Sequence, residues 1–188
     1  MEDLIYLALI ARFKANEALF TADGLKPVAH FDLFKNQYIY PELHHLYKRP
    51  ALFFEFNDEW EDKDDKSQDG TIMLSVHIEL ENYGDSADRS KNKDYALEIF
   101  KYHRYINALI HGFKSPVFTR LKRLRGQTDQ NPTNTNVKVI TYSTRVMDDS
   151  AWQLEQKGLI KEPLDDVTFT RVAHQPVEPT GNRYVIGD

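Results

Sequence analysis

The 188-residue chain contains no cysteine, which excludes a disulfide framework, a thiol nucleophile and a cysteine-ligated zinc site. It also lacks a long apolar run: residues 4–11 form the longest, whereas a helix needs about 20 residues to cross a bilayer. No basic residues precede that run as they do in a signal peptide, since Glu2 and Asp3 stand there. We therefore expect no membrane segment and a product that stays in the cytoplasm that makes it.

Sequence motifs for catalysis are missing as well. The chain has no HExxH, GxSxG, GxxxxGK[ST] or GxGxxG pattern, and the adjacent His44 and His45 would face opposite ways on a strand. Residues 65–72 resemble the first eight positions of a calcium-binding EF-hand loop, but Val76 stands where that loop has its bidentate glutamate. We expect a protein that is not an enzyme and has no cofactor or metal.

The net charge of −5 is concentrated in one short segment. Residues 58–69 hold two lysines and seven acidic residues, and the rest of the chain is balanced. The acidic residues are Asp58, Glu59, Glu61, Asp62, Asp64, Asp65 and Asp69. They predict a solvated contact surface; the alternative is a metal-dependent hydrolase or nuclease that uses these carboxylates.

A basic run is the second uneven feature. It consists of Arg120, Lys122, Arg123 and Arg125, with no acid among them. Three interpretations stay open: an exposed strand whose charge prevents aggregation, a contact with an acidic surface on another copy of the chain, or a contact with nucleic acid.

Hydrophobic periodicity predicts the main elements. Residues 3–20 and 93–111 have helical spacing, and residues 71–80 alternate strictly between apolar and polar, as in a strand with one buried face. Residues 51–56, 117–125 and 137–147 also read as strands. In the last of these strands the apolar residues change from odd to even positions between Val139 and Ile140, which indicates a bulge or burial on both faces.

The order of these elements predicts an α+β fold. An antiparallel β-sheet with a long hairpin, tipped by the acidic segment, packs against the N-terminal helix and the central amphipathic helix. Residues 1–149 form the domain, and residues 150–188 form a C-terminal extension or arm. Within that extension we expect a short helical turn at 151–158 and a strand at 167–172.

Three stretches together carry a family resemblance. They are residues 30–37 ahead of 49–56, the strand at 71–80, and the helix at 95–110 followed by 118–125 and 137–147. In this order the elements resemble the tail-terminator, or tail-completion, proteins of tailed bacteriophages, which join the tail to the head. The resemblance covers about residues 1–148.

The resemblance implies a structural virion protein. Such a protein is assembled in the host cytoplasm and forms a hexameric ring on the tail tube, where it stops polymerisation and meets neck or connector proteins. The genome passes through the bore without sequence-specific binding. The acidic residues and the basic run are the candidate contacts, and we expect residues 120–125 to touch protein instead of DNA. Another neck or connector protein of the phage is the alternative.

Overall fold

A computed structural model of the chain describes residues 1–81, 87–129 and 136–160. The helices are α1 (Glu2–Ala15), α2 (Ala18–Thr21), α3 (Lys93–Ile110) and α4 (Ser150–Gln156), with a 3-10 helix at Pro41–Leu46. The strands are β1 (His30–Leu33), β2 (Ala51–Asp64), β3 (Ser67–Leu80), β4 (Lys122–Asp129) and β5 (Asn136–Asp148). The fold is α+β, which confirms the predicted class.

The strands form one five-stranded sheet in the order β1-β2-β3-β5-β4. Three of its four strand pairs are antiparallel, but β1 runs parallel to β2 over residues 51–54. The sheet is thus mixed: the predicted antiparallel pairing holds for three pairs and not for β1 with β2. A parallel pair needs a crossover connection, and residues 34–50, which include the 3-10 helix, provide it.

Helices α1, α2 and α3 cover one face of the sheet, here called the helix face. The predicted helix at 3–20 is two helices, because Asn16 and Glu17 separate α1 from α2. The buried side chains of α1 are Ile5, Leu9 and Phe13. They join a core with alternate residues of the central strands, such as Leu74 and Tyr142. In the described ranges no helix is long and apolar enough to cross a membrane.

The crossover connection covers part of the other face, here called the opposite face. Tyr38 and Tyr47 form a second cluster there with Phe53 and Val139. Because β5 lies between the two clusters, the four successive residues 139–142 are all buried. The parity shift predicted in this strand therefore reflects burial on both faces, and the bulge lies in β4 instead, between Arg123 and Arg125.

A buried ion pair lies at the end of the opposite face. Glu79 is fully buried, and Nε and Nη2 of Arg49 both lie 2.8 Å from its Oε1 atom. A buried carboxylate is tolerated only when it is paired. Arg49 thus ties the crossover connection to β3.

The strand predicted at 117–125 is displaced along the chain. Phe118 and Leu121 are buried in the main core, but they belong to a loop in which the Thr119 amide donates to the Arg145 carbonyl. β4 starts only at Lys122, and its residues are almost all exposed, so it has no hydrophobic pattern. Helix α4 confirms the helical turn expected at 151–158. The rest of the expected arm, including the strand at 167–172, lies outside the described residues.

Candidate functional site

The acidic segment lies on paired strands and not on a loop at the tip of a hairpin. Asp58, Glu59, Glu61, Asp62 and Asp64 are on β2, Asp65 is in the turn, and Asp69 is on β3. The register between β2 and β3 continues from Ala51 opposite Glu79 to Asp64 opposite Ser67. The prediction of a long solvated tip is therefore corrected, since only two residues connect the strands.

The turn between β2 and β3 is fixed by Asp64. Its carboxylate accepts hydrogen bonds from the Ser67 hydroxyl at 2.6 Å and from the Lys66 amide at 3.0 Å. The Ser67 hydroxyl, followed by the Lys66 amide, lowers the pKa of Asp64 below its ordinary value. Lys66 also pairs with Glu155 of α4 at 2.5 Å, so the turn contacts the C-terminal helix.

Strand geometry divides the acidic residues between the two faces of the sheet. Successive side chains point to opposite faces, and Phe54 lies in the main core whereas Phe53 lies in the second cluster. Asp58 and Asp62 therefore lie on the helix face, and Glu59 and Glu61 lie on the opposite face. Asp69 is the cross-strand partner of Glu61. These carboxylates form two surfaces instead of one.

The basic run is divided in the same way. Lys122 lies opposite Ser143 and Arg125 opposite Thr141, which places both on the opposite face. Arg123 lies opposite Tyr142, on the helix face. Arg120 is outside β4 and lines a groove. Strand alternation separates Lys122 from Arg123. Because Leu124 has no partner in β5, the bulge then places Arg125 on the face of Lys122 instead of that of Arg123.

The acidic and basic strands lie at the two edges of the sheet. β1 pairs with β2 only at residues 51–54, so residues 55–64 have no partner strand on their outer side among the described residues. The outer side of β4 likewise has no partner strand in the described ranges, although the Arg123 amide donates to Nδ1 of His111. Each edge carries charge of one predominant sign, and unpaired edges are sites where a strand can be added.

A hydrogen-bonded network on the opposite face was not anticipated. Nδ1 of His77 lies 2.8 Å from the Tyr38 hydroxyl, and Nε2 lies 3.2 Å from Oε2 of Glu55. The Tyr38 hydroxyl is also 3.1 Å from Oδ2 of Asp129. The ring of Phe34 stacks on His77 at 3.9 Å. The network thus connects the crossover connection with β2, β3 and β4.

Burial dominates the electrostatics of this network. It lowers the pKa of His77, and it raises the pKa of Tyr38, with Asp129 as the next cause. The network lines a cavity of about 310 Å³. Nδ1 of His77 contacts Tyr38 and Nε2 contacts Glu55, so the histidine holds the crossover connection against the sheet. No sequence pattern pointed to it, because His77 lies among the polar residues that alternate with the apolar ones along β3.

A larger groove lies beside the distal end of β5. It has a volume of about 1080 Å³ and runs between the first residues of α1, the loop at 114–120 and α4. Its lining includes the buried Phe118 and Val146 and the charged Arg120 and Asp148. The groove is therefore mixed in charge and apolar at its base.

The remaining metal hypothesis concerns residues 65–72. Asp65 and Lys66 form the turn, and residues 67–72 belong to β3, so the segment has the geometry of a strand and not that of a calcium loop. Within the described ranges, no group of three or more histidine or acidic side chains is arranged to hold a metal ion.

Comparisons with known proteins give a structural likeness but no family. No family model matches the chain, and no curated protein matches it. Among solved structures, a chain from the virion of a native gene transfer agent particle is similar with a TM-score of 0.44 and 11% sequence identity. The likeness covers 74% of this chain and 92% of that one. A TM-score this low does not establish a shared fold.

Proposed function

We propose that the chain is a structural assembly protein of a tailed-phage-type virion. It closes into a ring, in our proposal a hexamer, on the end of the tail tube, where it stops polymerisation and joins the tube to the neck. The genome passes through the bore. The observation that carries this proposal is that the two exposed edges of one sheet have opposite charge and opposite direction.

The charges of the edges select which edges can meet. Two β2 edges repel each other because both are acidic, and two β4 edges repel because both are basic. A β2 edge and a β4 edge attract. This pairing joins different surfaces of two copies, so it is heterologous and produces a ring when the rotation between copies closes.

The strand directions are compatible with the same pairing. β2, β3, β5 and β4 alternate in direction across the sheet, so β2 and β4 run in opposite directions. When copies are related by rotation about an axis to which the strands keep one common tilt, β4 of one copy meets β2 of the next in an antiparallel manner. Main-chain hydrogen bonds then continue from one sheet into the next.

A stagger between copies is required because β1 occupies the outer side of β2 at residues 51–54. Without a stagger, Arg123 lies at the level of Phe56, to judge from the cross-strand register. Strands in closed sheets tilt by about 35–45° from the axis. From one copy to the next the sheet advances by four strands spaced about 4.8 Å apart, so the residues of β4 shift along β2 of the neighbour by roughly 13–19 Å, or about four to six residues. In the direction that avoids β1, this shift brings Arg123 to the level of Trp60 or Asp62.

The role at the tail tube rests on the order of the elements. The N-terminal helix, the long β2–β3 pair, the single long helix α3 and the following strands keep the order that resembles tail-terminator proteins. In this role the basic residues of β4 contact the neighbouring subunit and not the genome. Residues 150–188 remain available as an arm to a neck or connector protein.

The ring is tested by measuring the mass of the full-length chain by native mass spectrometry and mass photometry. We expect a closed oligomer, six copies in our proposal, that dissociates as salt increases because its contacts are ionic. Glu59→Lys combined with Glu61→Lys should weaken it. Lys48→Glu also changes the net charge, but it should leave the oligomer unchanged because Lys48 lies on the crossover connection. A monomer at all concentrations, with no ordering on tube ends, contradicts the proposal.

Tube capping is tested separately. The chain is added to the tail-tube protein encoded in the same genome while that protein polymerises, and tube lengths are measured by electron microscopy. We expect shorter tubes with a ring on one end. A ring-forming chain that leaves tube length unchanged would instead favour another neck or connector position.

A further inference from the structure

Two basic side chains converge on the helix face beside β4. A Cβ atom at Gly126 would lie 2.9 Å from Nη2 of Arg123 and 3.5 Å from Cε of Lys138. Both long side chains therefore bend over the same bare stretch of backbone. Their positive charges also contribute to the lowered pKa of His103 on α3. Only Arg123 belongs to the basic run seen in the sequence, so Lys138 extends it in space.

This cluster has no acidic partner within the described part of the chain. Neither Arg123 nor Lys138 forms an ion pair there, and the buried Nε2 atom of His103 has no hydrogen-bond partner. Burial, followed by Lys138 and Arg123, lowers the pKa of His103 to about 4, so the imidazole is neutral at pH 7. Two uncompensated cations this close together favour the arrival of an anion.

We propose that the cluster of Arg123 and Lys138 receives the carboxylates of Asp58 and Asp62 from a second copy of the chain. This inference rests on the proposed ring and names its contact on the helix face. When one sheet continues into the next, side chains keep their faces. Asp58 and Asp62 lie on the helix face of β2, as Arg123 does on β4, and both are exposed.

The staggered pairing brings the same residues together. It places Arg123 at the level of Trp60 or Asp62, and an arginine reaches the neighbouring positions on its own face of a sheet. Lys138 is one strand further from the interface, but its side chain leans over Gly126 toward the edge. The glycine thus provides the space in which both cations are held.

The test is an exchange of charges between faces, with oligomer dissociation measured by mass photometry. Arg123→Glu should raise the dissociation constant by roughly tenfold or more. Adding Asp62→Lys, on the same face, should restore most of the affinity between copies that Arg123→Glu removes. Adding Glu61→Lys, one residue away on the opposite face, should restore none. Lys48→Glu serves as the control for charge alone.

A second variant keeps the charge unchanged. Gly126→Ala inserts a methyl group where the Arg123 guanidinium lies, and that flexible side chain can move away without unfolding the strand. We expect weaker assembly with an unchanged melting temperature. If Gly126→Ala has no effect and Asp62→Lys rescues no better than Glu61→Lys, this contact is wrong although the ring stands.

Two other outcomes are distinguishable. A wild-type chain that never assembles overturns both the ring and this contact. Variants Arg123→Glu and Lys138→Glu that assemble normally but lose affinity for double-stranded DNA in a filter-binding assay would assign the cluster to phosphates, which contradicts the inference.

Discussion

Trp60 lies across the backbone of Gly70, its antiparallel partner in the neighbouring strand. A Cβ atom at position 70 would come within 2.6 Å of the indole ring. Glycine weakens the interior of a strand, and an aromatic ring over a cross-strand glycine compensates for it. The pair therefore holds β2 and β3 in register within the acidic segment.

Gly70→Ala should lower the free energy of unfolding by about 1–3 kcal/mol, because the methyl group overlaps the indole. The measurement is urea denaturation followed by tryptophan fluorescence and circular dichroism. In a Trp60→Leu background the same substitution should cost much less, as expected for residues in direct contact. Equal costs in both backgrounds would show that the ring does not constrain position 70.

Arg49→Met should lower the free energy of unfolding by about 3–5 kcal/mol, because it leaves the buried carboxylate of Glu79 without a partner. The double variant Arg49→Met with Glu79→Leu should recover most of that stability, because it removes the buried charge as well. Thermal and chemical denaturation of the three proteins measure this. A single variant as stable as the wild type would mean that Glu79 does not depend on Arg49.

Tyr38→Phe should lower the free energy of unfolding by roughly 1–3 kcal/mol, since it removes the hydroxyl that contacts buried Nδ1 of His77. Tyr40→Phe is the matched control, because Tyr40 is about half exposed, and it should change stability by less than about 0.5 kcal/mol. Both are measured by chemical denaturation at pH 7. If the two variants behave alike, the hydrogen-bonded network contributes little to holding the crossover connection.

His103 should make the fold sensitive to acid. Its pKa falls from an ordinary value of 6.5 to about 4 in the folded chain, so the unfolded state binds more protons between these values. The contribution of neutral His103 to the free energy of unfolding is complete above pH 6.5. It decreases as the pH falls toward 4, by up to about 3 kcal/mol. His103→Gln should flatten this part of the stability curve. A nuclear magnetic resonance titration of His103 with a midpoint near 6.5 would contradict the prediction.

The elements with strong periodicity could be predicted from the sequence. Residues 71–80 alternate because one side of β3 faces the main core, and α3 has its apolar stripe for the same reason. The continuation of β2 to Asp64 could not be predicted, since both of its faces are exposed there and no apolar pattern forms. β4 was misplaced for a related reason: the apolar residues at 117–121 fill the core from a loop.

The candidate surfaces were predictable only as groups of charge. The sequence shows that residues 58–69 are acidic and residues 120–125 basic. The division of each group between two faces depends on strand alternation and on the bulge at Leu124. The proximity of Lys138 to Arg123 depends on the register between β4 and β5, which sequence spacing does not reveal.

The connection of two residues between β2 and β3 has a consequence for dynamics. Near the turn the strands bury little besides Gly70, whereas their other ends lie between two hydrophobic clusters. Backbone amides near Asp64 and Ser67 should therefore exchange with deuterium by local fraying, while those near Phe53 and Ile78 exchange only on global unfolding. A neighbouring subunit that pairs with this part would slow its exchange most, so protection there reports assembly directly.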